Sequence, residues 1–285
     1  MSVGYQKRDH EIVDYKLFRL ADTGLDLRGP LPRPLEPGKY FACLGAAQTF
    51  GCFVEHPYPA LLANRIGIAS LNLGIAGAGP RYFVRTARLL PYINASRFAI
   101  VQIMSARSED NSRLLSDGLE QLTVRADGRR LGAEPAYREL MADLRRSELD
   151  ALVAETRANW VASFRELLAS ITVPVVLFWF SKRSPRYQLS YHDVHALFGE
   201  FPQLVDERMV LSLIATTASY VECITSRGSP QRLVSRFSGR PVSVLGRADL
   251  GREFGCNTYY PSPEMHVDAA ACLSEPCKSI LTEMA

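Results

Sequence analysis

Apolar runs of strand length recur along this chain and constrain its fold more than any other feature of the sequence. They occupy residues 40–44, 68–73, 98–104, 173–180 and 220–224, with a weaker run at 241–245. Each run is continuous rather than alternating, which is typical of strands buried on both faces of a parallel sheet. Helical stretches are predicted between the strands at residues 59–66, 81–90, 134–145 and 148–171. This alternation predicts an α/β fold, a doubly wound sheet of about five strands with helices on both sides.

The longest predicted helix carries an apolar stripe. Leu152, Thr156, Trp160, Phe164 and Leu168 follow one another at i+4 spacing, so they share one face of the helix. That face is expected to pack on the sheet. Trp160 is therefore predicted to be a core residue rather than a platform for a ligand.

Two stretches are predicted to lie outside the regular core. Residues 1–38, with Pro and Gly concentrated near their end, are expected to form an irregular N-terminal arm. Residues 39–285 are expected to form a single α/β/α domain. An insertion around 105–131 is expected to include a small hairpin at residues 126–128.

The composition is that of an ordinary globular protein, with 47% hydrophobic and 22% charged residues. The net charge of +3 is too small to attract nucleic acid by bulk electrostatics. No apolar run approaches the roughly 20 residues that span a bilayer. Charged residues are scattered through positions 1–20, where a secretory signal has an uninterrupted apolar core. These features predict a cytoplasmic protein with no membrane span and no nucleic-acid partner.

The six cysteines include no pair at the spacing of metal ligands. Cys43 and Cys223 lie inside apolar runs, and buried packing thiols explain the set best. A reactive thiol at Cys52 or Cys256 is the alternative. No metal site and no cofactor is predicted.

Two turns rich in small residues follow the first two predicted strands. They are residues 45–51, GAAQTFG, and residues 74–80, GIAGAGP. Ligands of an open parallel sheet bind beyond the carboxyl ends of its strands. Small residues let a ligand approach the backbone, and free amide N–H groups there can bind an oxyanion. The functional site is therefore predicted at the first turn, the alternative being that the glycines only make tight turns.

Arginines follow the next three predicted strands, each among hydroxyl residues. They are Arg107, Arg183 and Arg227. Because the carboxyl ends of parallel strands meet at one edge of a sheet, the three guanidinium groups are expected to converge on an anionic group of a substrate. The alternative is that they are exposed or form salt bridges with nearby carboxylates, which are Glu109, Asp110 and Glu222.

A late histidine is the candidate general base. His266 ends the run YYPSPEMH, which precedes a last helical segment that is predicted to run toward Met284 with an interruption near Pro276. In α/β enzymes a histidine on a late loop often serves a site that is opened by the first strand. A structural histidine is the alternative. His192 and His195 lie in a polar helical stretch and are predicted to be surface residues.

These loops, in this order, resemble the SGNH (GDSL-type) hydrolases, a family of esterases and acyltransferases. The first block of that family, Gly-Asp-Ser-x-(Thr/Ser), corresponds to residues 44–49, with Ala47 in the place of the serine. The second block contains an Asn and an oxyanion-binding Gly, which correspond to Asn72 and Gly77. Without its serine, a hydrolytic triad loses on the order of a million-fold in turnover. The resemblance therefore excludes an ordinary esterase that uses residue 47.

The third and fourth blocks of the family extend the resemblance to the end of the chain. Gly-x-Asn-Asp corresponds to residues 105–108, with Arg107 in place of the Asn, and Asp-x-x-His corresponds to residues 263–266. The resemblance implies a three-layer α/β/α, flavodoxin-like sandwich with a mostly parallel central sheet. The GAAQTFG and PSPEMH runs also resemble a bacterial family known as a domain of unknown function.

Three functions follow from this resemblance and these residues. The first is a divergent SGNH-like enzyme that acts on an anionic substrate, with acyl or other group transfer to or from a glycan and without a serine nucleophile. The second is a non-catalytic module of the same fold that binds an anion or a glycan. The third is a sulfo- or phosphoryl-group transferase, although the chain has no Walker-type phosphate loop.

The candidate site residues have two predicted roles. His266 as base, Gly77 as an amide donor and Arg107 as an anion ligand form the catalytic group. The substrate-binding group consists of Gly45, Ala47, Gln48, Thr49, Asn72, Ser105, Arg183, Arg227, Ser262 and Glu264. The predicted partner is a small-molecule or glycan substrate that carries a negative charge.

Overall fold

A five-stranded parallel sheet forms the centre of the protein. The computed structural model describes residues 2–186, 188, 190–245 and 253–283. The strands of the sheet are β1 (Tyr40–Gly45), β2 (Ala69–Gly74), β3 (Ala99–Gln102), β4 (Val175–Ser181) and β5 (Ser219–Ile224). Their order across the sheet is β2-β1-β3-β4-β5, and all four pairings are parallel. This is the flavodoxin-like order, so the predicted fold class is confirmed.

Ten helices accompany the sheet in the described part of the chain. They are α1 (Ser2–Asp9), α2 (Ala47–Phe50), α3 (Tyr58–Ile66), α4 (Pro80–Arg85), α5 (Leu90–Asn94), α6 (Ala133–Asp143), α7 (Arg146–Ser170), α8 (Val194–Phe198), α9 (Glu207–Ile214) and α10 (Pro263–Glu283). Helices α3 and α10 cover one face of the sheet, and α4, α7 and α9 cover the other. The result is three layers.

Side chains of β1 alternate between the two faces. Phe41 and Cys43 pack with α3 and α10, whereas Ala42 and Leu44 belong to the larger core on the opposite face. Because both faces are covered by helices, the strand is apolar at every position. Trp160 of α7 is fully buried in the larger core, where its indole N–H donates to the carbonyl of Met104 at 3.0 Å. The core prediction for Trp160 is confirmed.

Two helix predictions need correction, and proline is involved in both. The helix predicted at 81–90 is divided into α4, a 3-10 turn and α5. Pro91 lies in the first turn of α5, where its missing N–H costs nothing. The interruption predicted near Pro276 is wrong, since α10 continues through it. Burial of Leu273 and Cys277 beside it holds this part of the helix in the core. The predicted end at Met284 lies outside the described residues.

The first 38 residues, predicted to be irregular, contain two regular pieces. One is helix α1, and the other is an antiparallel ribbon that joins Phe18–Leu20 to Leu25–Leu27. Helix α1 packs its Tyr5 ring 5.8 Å from the ring of Phe50 in the first turn. This contact is tertiary, and the weak apolar pattern of the segment does not reveal it. The Pro-rich residues 29–38 are irregular, as predicted.

The predicted insertion holds a three-stranded antiparallel sheet of Leu114–Ser116, Gln121–Val124 and Arg130–Gly132. The predicted hairpin is therefore confirmed, with Gly128 at φ +73° in its turn. The weak apolar run at 241–245 does not join the central sheet. Its Val244–Leu245 pairs with Glu253–Phe254 in a two-stranded ribbon, and a second ribbon joins Gln231–Arg232 to Cys256–Asn257. Within the described ranges, no helix has the length and apolar character needed to cross a membrane.

Candidate functional site

The turn after β1 is held in place by side chains of the neighbouring strands. The Thr49 hydroxyl donates to Oε1 of Gln102 at 2.7 Å, and the same oxygen accepts the backbone N–H of Ala46 at 3.0 Å. The Asn72 amide donates to the Thr49 carbonyl at 2.9 Å. A Cβ added at Gly45 would lie 2.1 Å from Oγ1 of Thr49. Gly45, Thr49 and Asn72, predicted to bind substrate, are therefore buried scaffold of the turn.

The second turn packs directly against the first. The N–H of Ile75 donates to the carbonyl of Gly45 at 2.9 Å, and a Cβ added at Gly74 would lie 2.2 Å from the backbone nitrogen of Phe50. A small cavity of about 30 Å³ lies beside this junction. Its walls include five of the predicted site residues: Ala47, Gln48, Gly77, Ser105 and Arg107. About one water molecule fits in such a volume.

A larger cavity of about 460 Å³ opens beyond the carboxyl ends of the strands. Gln48 of the first turn, Arg107 after β3 and Ser181 at the end of β4 line one side of it. Helix α8 and residues 199–201 and 203 line another. The remaining walls are formed by Glu134, Phe180, Lys182, Thr258, Tyr259, Pro261 and Met265. Gln48, Arg107, Phe201 and Tyr259 line both cavities. Both cavities thus lie at the edge of the sheet where the site is predicted.

Two buried amides form part of the wall of the large cavity. Gln48 and Gln203 are 2% and 4% exposed as whole residues. Neither amide oxygen has a hydrogen-bond partner among the described residues. The other end of the Gln203 amide donates to the Tyr259 hydroxyl at 3.1 Å. The wall of the large cavity therefore contains two amide oxygens that accept no hydrogen bond from a described residue.

The three predicted arginines do not share a ligand site. Arg107 lines both cavities, and its guanidinium lies 3.5 Å from the Glu120 carboxylate. Arg183 donates to the backbone carbonyls of residues 184, 200, 202 and 205. Arg227 pairs with Asp268 at 2.5 Å. The convergence prediction is wrong, because each guanidinium has its own partners.

The carboxylates named as alternative partners also lie elsewhere. Glu109 and Asp110 pair with Arg81, and Glu222 accepts from the Tyr220 hydroxyl. Burial raises the pKa of Glu109 to about 7, although Arg81 opposes the shift. The ion pair of Glu109 with Arg81 of α4 forms part of the packing of that helix on α7, whose Ser163 also donates to Glu109.

His266 is fully buried beneath the first turn. Its Nδ1 accepts the backbone N–H of Tyr58 at 3.0 Å, and its ring stacks on the Tyr58 ring at 6.1 Å. Since Nδ1 accepts, the proton of the neutral ring is on Nε2, which has no partner among the described residues. Burial, with a smaller contribution from Arg28, lowers the pKa of His266 to about 3. This geometry does not support the predicted role of general base.

The remaining candidates near His266 are structural in this arrangement. The Ser262 hydroxyl donates to the Arg227 carbonyl at 2.5 Å and accepts the N–H of Met265, so it caps α10. Glu264 lies beside Gly228, outside the walls of both cavities. Ser105 lines only the small cavity, where its hydroxyl accepts the N–H of Arg107 at 3.2 Å.

Several residues of the large cavity were missed by sequence reasoning. Lys182 donates to the Thr258 carbonyl at 2.5 Å, and His195 lies 3.5 Å from the Glu134 carboxylate at the rim. His195 is exposed, as predicted, but it is also part of the cavity wall. The run of two tyrosines at 259–260 was the available signal. Residues 198–203 carry no motif and reach the cavity only through the tertiary fold.

The cysteines are free thiols, and four of the six are buried. Burial raises the pKa of the Cys52 thiol, so Cys52 is not a reactive thiolate at neutral pH. Cys256 is exposed. In the described ranges no three His, Cys, Asp or Glu side chains are grouped so that they could hold a metal ion.

Comparison with solved structures finds distant likenesses. A carbohydrate esterase family 2 enzyme from Corynascus thermopiles is 11% identical, with a TM-score of 0.45 over 91% of this chain and 70% of that one. A family two carbohydrate esterase from Clostridium thermocellum is 11% identical, with a TM-score of 0.42 over 91% and 68%. A catalytic mutant of an acetylxylan esterase from Geobacillus stearothermophilus is 15% identical, with a TM-score of 0.37 over 84% and 93%.

A match between the sequence and a protein family shows the family of the chain. No curated protein matches the chain. One family matches two stretches, residues 1–113 and 137–280, and leaves out residues 114–136. The omitted stretch contains the three-stranded antiparallel sheet of the predicted insertion. The matched stretches cover most of the protein, and the chain therefore belongs to the family described as Domain of unknown function (DUF6473).

Proposed function

We propose that this protein is a non-catalytic binding module that holds a small hydroxyl-bearing molecule, such as a glycan fragment, in the large cavity. The observation that carries the proposal is the pair of amide oxygens of Gln48 and Gln203, which are buried in the cavity wall without a partner among the described residues. A buried acceptor left without a donor costs about 1–3 kcal/mol. A ligand that donates hydrogen bonds to both oxygens recovers this free energy.

Hydroxyl groups fit these acceptors, whereas anionic groups do not. A carboxylate, phosphate or sulfate in its fully ionised form has no proton to donate. The last torsion of a glutamine side chain is broad, so either amide can rotate at low cost to meet a donor in the cavity. The ligand class supported by the two glutamines is therefore a polyol or sugar.

The remaining walls suit a neutral ligand of this kind. Phe180, Phe198, Phe201 and Tyr259 provide apolar surface, which packs against the C–H faces of a sugar ring. Lys182 already donates to a backbone carbonyl. Arg107, the cation that the anionic hypothesis needs, already faces a carboxylate. A second anion buried beside this pair would face a guanidinium whose charge Glu120 already balances.

Catalysis by the SGNH arrangement has less support. Residue 47 is alanine, and the neutral His266 ring presents its protonated nitrogen rather than a lone pair at Nε2. The cavity beside the turn has a volume of only about 30 Å³. No feature of the described residues favours sulfo- or phosphoryl-group transfer.

Titration with a panel of neutral monosaccharides and disaccharides tests the proposal. Binding is measured by calorimetry and by thermal stabilisation, which grows with ligand concentration when only the folded state binds. We expect Gln48→Leu and Gln203→Leu each to weaken binding by about tenfold, since one hydrogen bond is worth about 1–1.5 kcal/mol. Gln121→Leu, at an exposed position in a strand of the insertion, is the matched control and leaves binding unchanged.

Recovery of the ligand separates binding from turnover. A sugar or acetylated sugar that binds is incubated with the protein and then quantified by mass spectrometry. Unchanged ligand is the expected result. Stoichiometric binding accompanied by consumption of the ligand would favour the enzyme instead, and absence of binding by every member of the panel would refute the proposed ligand class.

A further inference from the structure

The small cavity contains an ion pair between the turn that follows β3 and the loop before the second strand of the three-stranded antiparallel sheet. Arg107 follows β3, and its guanidinium lies 3.5 Å from the carboxylate of Glu120. The two side chains are 13% and 25% exposed. The same guanidinium donates to the Tyr259 hydroxyl at 3.3 Å. Glu120 therefore supplies the negative charge that faces Arg107 in this cavity.

The backbone that carries Glu120 is fastened to the second turn. The N–H of Gly79 donates to the Gly118 carbonyl at 2.8 Å, and a Cβ added at Gly118 would lie 2.1 Å from the backbone nitrogen of Tyr82. A Cβ added at Gly77 would lie 2.9 Å from Cβ of Glu120. The close approach leaves no room for a side chain at residue 77. The Glu120 carboxylate is thus placed by the docking of its loop.

Glu120 differs from the other walls of the small cavity in lying outside the family match. Every other lining residue lies within residues 1–113 or 137–280, which the family matches, whereas Glu120 lies in the stretch 114–136 that the match leaves out. The matched part of the chain thus builds a cavity with a largely buried guanidinium, 13% of whose side chain is exposed. A stretch outside the match adds the carboxylate.

We propose that the small cavity is a carboxylate-binding site and that the side chain of Glu120 is its built-in occupant. The ligand class is a small monocarboxylate of the size of acetate or formate, held by the Arg107 guanidinium, whose donors match a carboxylate in geometry and charge. This site adjoins the large cavity of the proposed sugar, and Arg107 lines both. Its test uses no sugar, so the outcome does not depend on that function.

The substitution Glu120→Ala provides the test, because it removes a methylene and a carboxylate, the atoms of one acetate ion. Thermal unfolding of Glu120→Ala is followed with increasing sodium acetate, with sodium chloride at equal ionic strength and with acetamide as the neutral isostere. We expect saturable stabilisation of a few degrees by acetate alone, as for a ligand that binds only the folded state. The wild-type protein, whose site is filled, does not respond.

Arg107→Met in the Glu120→Ala background is the matched control and abolishes the acetate response. An equal response in the wild type or in the double variant would overturn the proposal, as would no response in Glu120→Ala. If Glu120→Ala does not fold, Glu120→Gln keeps the volume of the side chain. A double-mutant cycle with Arg107→Met is then expected to show coupling of about fivefold in the unfolding equilibrium constant. Additive effects in that cycle would overturn the proposal.

Discussion

The backbone N–H of Tyr58 donates a hydrogen bond of 3.0 Å to Nδ1 of His266. This bond joins the start of α3 to the start of α10, on the face of the sheet that these two helices cover. It assigns the proton of the neutral ring to Nε2, and the aromatic ring of Phe180 packs edge-on at 5.4 Å. The histidine at the position of the SGNH base therefore acts here as an acceptor for a backbone amide.

We expect His266 to make stability pH-dependent in one direction. Burial lowers the folded pKa of His266 to about 3, whereas the unfolded ring titrates near 6.5. Below about pH 6.5 the ring is protonated in the unfolded chain but stays neutral in the folded protein. The free energy of unfolding therefore falls as the pH falls toward 3. Between pH 7.5 and 5.5 the wild type should lose about 1.4 kcal/mol more than His266→Gln.

Urea unfolding of both proteins at the two pH values measures this difference. His56→Gln is the control, because His56 is exposed and only its ring edge lies near Glu55 at 4.0 Å. Parallel pH profiles for the wild type and His266→Gln would show that the folded ring titrates near the unfolded value of about 6.5, and such a ring could serve as the general base of the catalytic hypothesis.

We expect Ala47→Ser to remain inactive as an esterase. The new hydroxyl has no base beside it, since His266 presents a protonated Nε2 and a low pKa, and the adjoining cavity has a volume of only about 30 Å³. A fluorophosphonate probe followed by mass spectrometry measures labelling. Stoichiometric labelling of Ala47→Ser, but not of the wild type, would contradict this expectation. Labelling of the wild type would reveal another nucleophile, for which Ser105→Ala and Ser262→Ala are the diagnostic variants.

We expect Gly45→Ala to destabilise the protein by at least about 3 kcal/mol, the upper end of the usual cost of overpacking a core. The added Cβ would lie 2.1 Å from Oγ1 of Thr49 and 2.3 Å from Oε1 of Gln102, so the hydrogen bonds that hold the first turn would break. Gly4→Ala in α1 is the matched control, because nothing lies within 4 Å of its added Cβ. Equal unfolding midpoints in urea for the two variants would disprove this explanation of the glycine.

We expect Arg28→Met to cost about 2–4 kcal/mol, because it leaves the buried carbonyl of Val54 and the partly buried carbonyl of Glu55 without this donor. The Arg28 guanidinium donates to the carbonyls of Val54 and Glu55 at 2.9 and 2.7 Å and lies 4.7 Å from the Tyr15 ring. Burial lowers the pKa of Arg28 to about 10, so the group remains charged at neutral pH. Urea unfolding provides the measurement.

Arg19→Met is the control for this substitution. Arg19 is exposed, and its ion pair with Asp26 spans 3.4 Å at the surface, where such pairs contribute less than about 1 kcal/mol. A loss of similar size in both variants would mean that Arg28 contributes no more than an exposed arginine.

The sequence alone determined the layered fold and the edge of the sheet at which the two cavities lie. Continuous apolar runs require helices on both faces of a sheet, and parallel strands bring their following turns to one edge. Trp160 was predicted correctly for the same reason, since its i+4 stripe depends only on helix geometry. Each of these properties follows from neighbours within a few residues.

Only the tertiary structure decided the chemistry at that edge. Tyr58 and His266 are 208 residues apart in the chain, and no local pattern shows that one will donate to the other. Arg107 faces Glu120 rather than Arg183 or Arg227, and Gln203 reaches the cavity from a segment without a motif. Protonation, ion pairing and cavity volume depend on which groups are close in space and screened from water. Patterns of neighbouring residues along the chain do not show which groups these are.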